Sequence, residues 1–152
     1  MTEQYAMREH TIVIERVLDA PRELVWNAWT DPDEVTKWWG PEHFTTPREK
    51  IELDLRPGGV CRMTMVGPDG EEYPSDGHFG VVEPPERLSF GGETSDHPMI
   101  ESGETTVEFV ELAEHRTKVV VTSRLICADE LVDMSKLGWG SQLDKLEGLL
   151  AA

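Results

Sequence analysis

The residues able to do chemistry in this chain are few and scattered. The five histidines are His10, His43, His78, His97 and His115, and none stands two or four positions from another. Cys61 and Cys127 add no ligand at close spacing, so no donor set of metal-site spacing forms, and neither a metal nor a cofactor is expected. His78 is the one histidine in a strand-like run beside aromatic residues. Its ordinary pKa near neutrality would suit general acid or base work, which makes it the weak catalytic candidate. The plainer reading is a hydrogen-bonded or exposed strand histidine. No G-x-S-x-G, P-loop, G-x-G-x-x-G or H-E-x-x-H occurs, and Gly138-Trp139-Gly140 lies inside a helical signal rather than in a phosphate loop. The inventory leans away from an enzyme.

Apolar recognition is better provided for. Adjacent Trp38 and Trp39 cannot both face one core from a short helix, so one is expected at a cavity mouth and the other inside; the alternative is that both plug the end of the domain. Cys61, Met63 and Met65 share one strand face and form a soft, adaptable wall. Phe79, Phe90 and Phe109 extend that wall, Phe44 joins the lining, and Trp139 with Leu143 forms a roof bordered by the polar Gln142. Each of these also reads as ordinary core. Trp26 and Trp29 read as helix packing, and alternation puts Arg62, Glu108 and Arg124 on a solvent face.

The elements that must position these residues follow from periodicity. Thr11 to Leu18 is β-branched and reads as a strand. Asp19-Ala20-Pro21 stops it and starts a short amphipathic helix carrying Leu24, Val25, Ala28 and Trp29. Asp31, Pro32 and Glu34 form a capping-box start for a second helix, which ends at Gly40-Pro41. From Lys50 the period becomes two, with strands expected over 50–55, 60–66 and 71–82, then a short one at 87–90. Gly67-Pro68-Asp69-Gly70 is a hairpin turn, and Gly77 marks a bulge or a close approach. Gly91 to Gly103 reads as the longest loop, and two last strands cover 105–112 and 117–126. The chain closes on its longest helical signal, from Ala128 onward, with an apolar stripe at Val132, Trp139, Leu143, Leu146 and Leu150. Gly138 borders that stripe, where it either kinks the helix or gives a ligand or the sheet room to approach. Met134 and Leu137 fall opposite. Either the helix starts beyond them, or a loop or a second subunit of a homodimer covers them.

Thirty Asp and Glu against 14 Lys and Arg give a formal charge of −16, which argues against nucleic acid or an anionic membrane as partner. The first ten residues hold no apolar core for a signal peptide, and no run approaches roughly 18 apolar residues. A soluble, acidic, cytoplasmic protein is expected, with one domain over 1–152 and a folded core from about residue 10 to residue 150. Both cysteines lie in apolar runs and are expected as buried free thiols.

Specific residues also match a family. Asp19-Ala20-Pro21-Arg22-Glu23-Leu24-Val25-Trp26, Trp38-Trp39-Gly40-Pro41 and Leu55-Arg56-Pro57-Gly58-Gly59 stand in its order. Pro68-Asp69-Gly70, Pro84-Pro85-Glu86-Arg87-Leu88 and Gly138-Trp139 with Leu143 and Leu146 continue the series. Together they resemble the START-like, or SRPBCC, superfamily, in the branch related to the C-terminal domain of the heat-shock-protein-90 ATPase activator (AHSA1-like). The resemblance implies an α+β helix-grip fold: a curved antiparallel sheet of six to seven strands wrapped around a long C-terminal helix, with two short helices after the first strand. It implies a space between sheet and helix, with Trp38 and Trp39 beside its opening. Val81 and His78 stand where relatives often carry Glu, so a role tied to those acids is not expected. The function implied is binding of a small hydrophobic molecule in that space. A cyclase- or hydrolase-like enzyme in the same cavity, or a chaperone ATPase modulator linked to the stress response, are the alternatives.

Overall fold

The computed structural model describes residues 6–92 and 100–151. Strand β1 (Met7–Leu18) alternates as its sequence demands, with Ile12 and Leu18 buried between exposed neighbours. Helix α1 (Arg22–Thr30) follows, then α2 (Pro32–Trp38). Asp31 caps α2 by accepting from the Asp33 N–H at 2.9 Å. The reciprocal half of the expected capping box does not form, because the Asp31 N–H already donates to the Asn27 carbonyl at 2.9 Å, and Glu34 meets Lys37 Nζ at 3.1 Å instead.

A 3-10 turn (Arg48–Lys50) leads into β2 (Glu52–Leu53), then β3 (Val60–Val66), β4 (Glu72–Glu83), β5 (Arg87–Gly92), β6 (Ile100–Ala113), β7 (Arg116–Ala128) and the long helix α3 (Leu131–Ala151). The seven strands form one antiparallel sheet in the order β1-β7-β6-β5-β4-β3-β2. This is an α+β helix-grip fold, with the curved sheet closing around α3.

Three local expectations change. The strand expected over 50–55 shrinks to Glu52–Leu53, squeezed between the 3-10 turn and the reversal at Pro57-Gly58-Gly59. The loop expected from Gly91 to Gly103 is strand at both ends; its middle lies outside the described residues. There the glycines serve the sheet itself. A Cβ on Gly77 would stand 2.5 Å from the Gly91 carbonyl oxygen, and one on Gly91 would stand 2.3 Å from that of Gly103. Gly77 is therefore a close approach; the bulge comes later, where Gly80 and Val81 oppose Ser89. Finally, α3 begins before Met134 and Leu137, which remain 64% and 74% exposed on its outer side.

Leu143 and Leu146 of α3 are fully buried, while Val132, Trp139 and Leu150 of the same stripe are half-buried. They close over a core built from Leu18, Val25, Trp29, Trp38, Leu88, Val107, Phe109, Val119 and Val121. Among the described residues no helix is long and apolar enough to cross a membrane.

Candidate functional site: the aromatic interior between sheet and helix

Sheet register decides which side chains face α3. Phe79 stands opposite Phe90, Phe90 opposite Thr105, Thr105 opposite Ser123, and Ser123 opposite Ile12, so these five share one face. All are buried or half-buried, and this is the face the helices cover. The next row, His78, Gly91, Glu104, Arg124 and Thr11, is displaced by one residue and points the other way. His78 is therefore exposed on the outer face, and its placement in the sheet–helix space is corrected. A general acid or base at that position cannot meet a molecule held under α3.

Above the inner face, Trp29 is the hub. Its ring centroid lies 4.7 Å from Trp38, 5.8 Å from Trp39, 6.1 Å from Phe109 and 6.5 Å from Phe90. The Trp139 ring of α3 stacks on it at 6.2 Å, with 21° between the planes. Trp26 meets Phe109 edge-on at 5.4 Å. Residues expected merely to pack α1 thus organise the interior. Trp38 is fully buried and donates its indole N–H to the Ala28 carbonyl at 2.8 Å, whereas Trp39 is half-buried.

These rings fill the space expected to stand open. Among the described residues they leave a void of about 10 Å³ bordered by Trp29, Trp39, Cys61, Met63, Phe79 and Phe90. That is barely one water's worth of space. The expected enclosed cavity is corrected to a closed aromatic interior, because rings from α1, α2, β5, β6 and α3 meet at one point. Cys61 and Cys127 are both buried free thiols, and burial pushes the Cys61 thiol up to about 12, which keeps it protonated and unreactive.

Of the other expected lining residues, Phe109 and Leu143 are buried core. Met65 and Phe44 form a separate cluster. Both approach within 3.5 Å of where a Gly40 side chain would start, and Phe44 packs on Tyr73 at 5.7 Å. A Cβ on Gly138 would meet nothing within 4 Å, so this glycine is not there to admit a close neighbour.

Two polar atoms in this region lack partners among the described residues: the indole Nε1 of Trp29 and the amide Nε2 of Gln142. Trp29 is 3% exposed and Gln142 6%. Leaving a buried donor unpaired costs about 1–3 kcal/mol. By contrast the buried hydroxyls of Thr105 and Ser123 meet each other at 3.3 Å.

The sequence reading missed the segment that shuts one end. Lys145 of α3 donates to the carbonyls of Gly40 and Phe44 at 3.0 and 3.2 Å, and Ser141 accepts from the Glu42 N–H at 2.7 Å. Burial lowers the Lys145 pKa. Nothing in the spacing signals these bonds, which join residues about a hundred positions apart.

The outer face carries the larger space, a groove of about 830 Å³ lined by His78, Ser89, Glu104, Arg124 and Ile126 over a glycine floor. Two of its polar side chains are paired: Arg124 with Glu9 at 2.7 Å, and Ser89, which accepts from the Val81 N–H at 2.7 Å.

A sheet gripping a C-terminal helix over an aromatic interior defines the helix-grip class, and comparisons with known proteins narrow it. The family model described as Activator of Hsp90 ATPase homolog 1-like protein matches residues 19–151, and the chain belongs to that family. It is similar in structure to a protein of Chromobacterium violaceum, with 28% identity and a TM-score of 0.83 over 93% of this chain and 97% of that one. A protein of Rhizobium leguminosarum is 29% identical, with a TM-score of 0.71 over 98% and 99% of the two chains. The AHSA1 protein of Silicibacter pomeroyi, at 24% identity and a TM-score of 0.80 over 93% and 98%, shares the fold. No curated protein matches the chain.

Proposed function

We propose that this protein binds a small, mainly apolar molecule between the sheet and α3, and that the molecule enters by displacing the half-buried rings of Trp39, Phe90 and Trp139. The observation that carries this reading is the pair of unpartnered donors, Trp29 Nε1 and Gln142 Nε2, inside a mainly apolar interior. Buried donors are rarely left unpaired without a reason, and a ligand supplying an acceptor is one. The three half-buried rings form a path from solvent to Trp29, since Trp39 and Trp139 both touch it directly. An apolar lining with a few polar groups is what small-molecule sites present.

An enzymatic reading would need an acid–base pair in the same space. The buried polar side chains among the described residues are Thr, Ser and Gln only. The family description favours one competitor, modulation of a chaperone ATPase. A chaperone ATPase rate unchanged by stoichiometric protein would remove it.

Native mass spectrometry after gentle purification tests the binding reading. The expected spectrum carries a small-molecule adduct, lost on denaturation, and it also reports subunit number. A bare chain whose tryptophan fluorescence does not respond to apolar aromatic probes would overturn the reading.

A further inference from the structure

We infer that the molecule held between sheet and helix carries an uncharged hydrogen-bond acceptor, an oxygen of the ketone, ester or ether type, which the unpartnered donors of Trp29 and Gln142 would engage. The inference rests on the binding reading above and specifies its ligand class.

The groups left over in the interior set the class. Trp29 Nε1 can only donate, so its missing partner is an acceptor. Gln142 Nε2 is also a donor, and the indole N–H of Trp29 keeps its donor role whichever way the Gln142 amide is turned. Both residues neighbour Trp139. Trp139 stacks on Trp29 at 6.2 Å, and Gln142 follows Trp139 by three residues on α3, one turn along the same side. A carbonyl oxygen can accept from either donor.

Charge is excluded by what the neighbouring ions already do. Arg16, reaching α3 from the inner face of β1, is bound to Asp144 and Glu147 and donates to the Gly140 carbonyl at 3.3 Å. Lys145 is held by the Gly40 and Phe44 carbonyls. Arg22, whose Nε is likewise buried without a partner, is paired through its other nitrogen with Glu111 at 3.4 Å, and no buried carboxylate among the described residues stands ready for an amine. A neutral acceptor on an apolar body is the chemistry these side chains leave unmet.

Three probes of nearly one shape test this: acetylnaphthalene, isopropenylnaphthalene (a CH2 in place of the carbonyl oxygen) and naphthoate. Binding is read from intrinsic tryptophan fluorescence. Acetylnaphthalene should bind about tenfold more tightly than isopropenylnaphthalene, with naphthoate weakest. In Gln142→Met, which conserves volume, that ratio should fall towards unity, and in Trp29→Phe it should fall as well. Equal binding of the two neutral probes to the unaltered protein, a ratio unchanged in both variants, or tightest binding of naphthoate would overturn the inference while leaving the binding reading in place. Binding of none of the three would sink both.

Discussion

The two faces of the sheet between β4 and β7 carry opposite kinds of space. On the outer face a groove of about 830 Å³ opens to solvent, with a charged rim whose Arg124 is already paired to Glu9. On the inner face barely 10 Å³ remains among tryptophan and phenylalanine rings, yet two buried donors there have no partner. Volume and unmet chemistry have come apart. Charges beside bulk water are solvated whether or not a ligand arrives, so an open groove with paired ions gains little from occupancy. A closed apolar interior gains from any molecule that buries apolar surface and supplies an acceptor, provided the rings can move. The candidate site is the smaller space.

Three measurements bear on that contrast, in descending size. Trp29→Ala removes the ring on which five others converge, and should cost about 3–5 kcal/mol in urea unfolding. A loss below about 1 kcal/mol would mean the interior is slack, and its closure would lose its meaning. The second concerns dryness. Because the Cys61 pKa is raised in the folded protein from its ordinary 9.0 to about 12, its stabilising contribution is whole below pH 9 and is lost as pH rises towards 12. Compared between pH 8 and pH 11, the stability advantage of the unaltered protein over Cys61→Ala should shrink by about 1–3 kcal/mol. A constant difference would show that water reaches this wall. Lys145, whose pKa is lowered, works in the opposite sense but is common to both proteins and cancels. The smallest effect belongs to the outer face: His78→Ala and Arg124→Ala should each change unfolding free energy by no more than about 0.5 kcal/mol. A loss above 2 kcal/mol from either would make the groove structural and undo the distinction.

Much of the architecture was legible because hydrophobic period is a local property. The run Val60–Val66 coincides with its strand, and Asp31-Pro32 starts its helix where capping chemistry requires. The binding elements were legible only as a set of aromatic and sulfur residues. Their sorting was not. Met63 entered the core while Met65, on the same strand face, joined Phe44 and Tyr73 at the strand end. His78 looked inward by its neighbours and faces outward by register, because one residue's displacement reverses a strand side chain. Trp29 read as packing and proved to be the hub, since nothing in α1 reports that α3 will bring Trp139 onto it.

The sequence by itself determined the family, the order of strands and helices, the acidic surface and the stock of rings and thioethers available to an interior. These follow from composition and short-range pattern, which survive without tertiary contacts. Tertiary structure alone decided that the rings meet and fill the space, that Lys145 and Ser141 fasten the Gly40–Phe44 loop, and that Trp29 and Gln142 are left unpaired. The reason is physical. Closure, pairing and its failure depend on distances between residues far apart in the chain, which the register of a seven-stranded sheet fixes only when all its strands are in place.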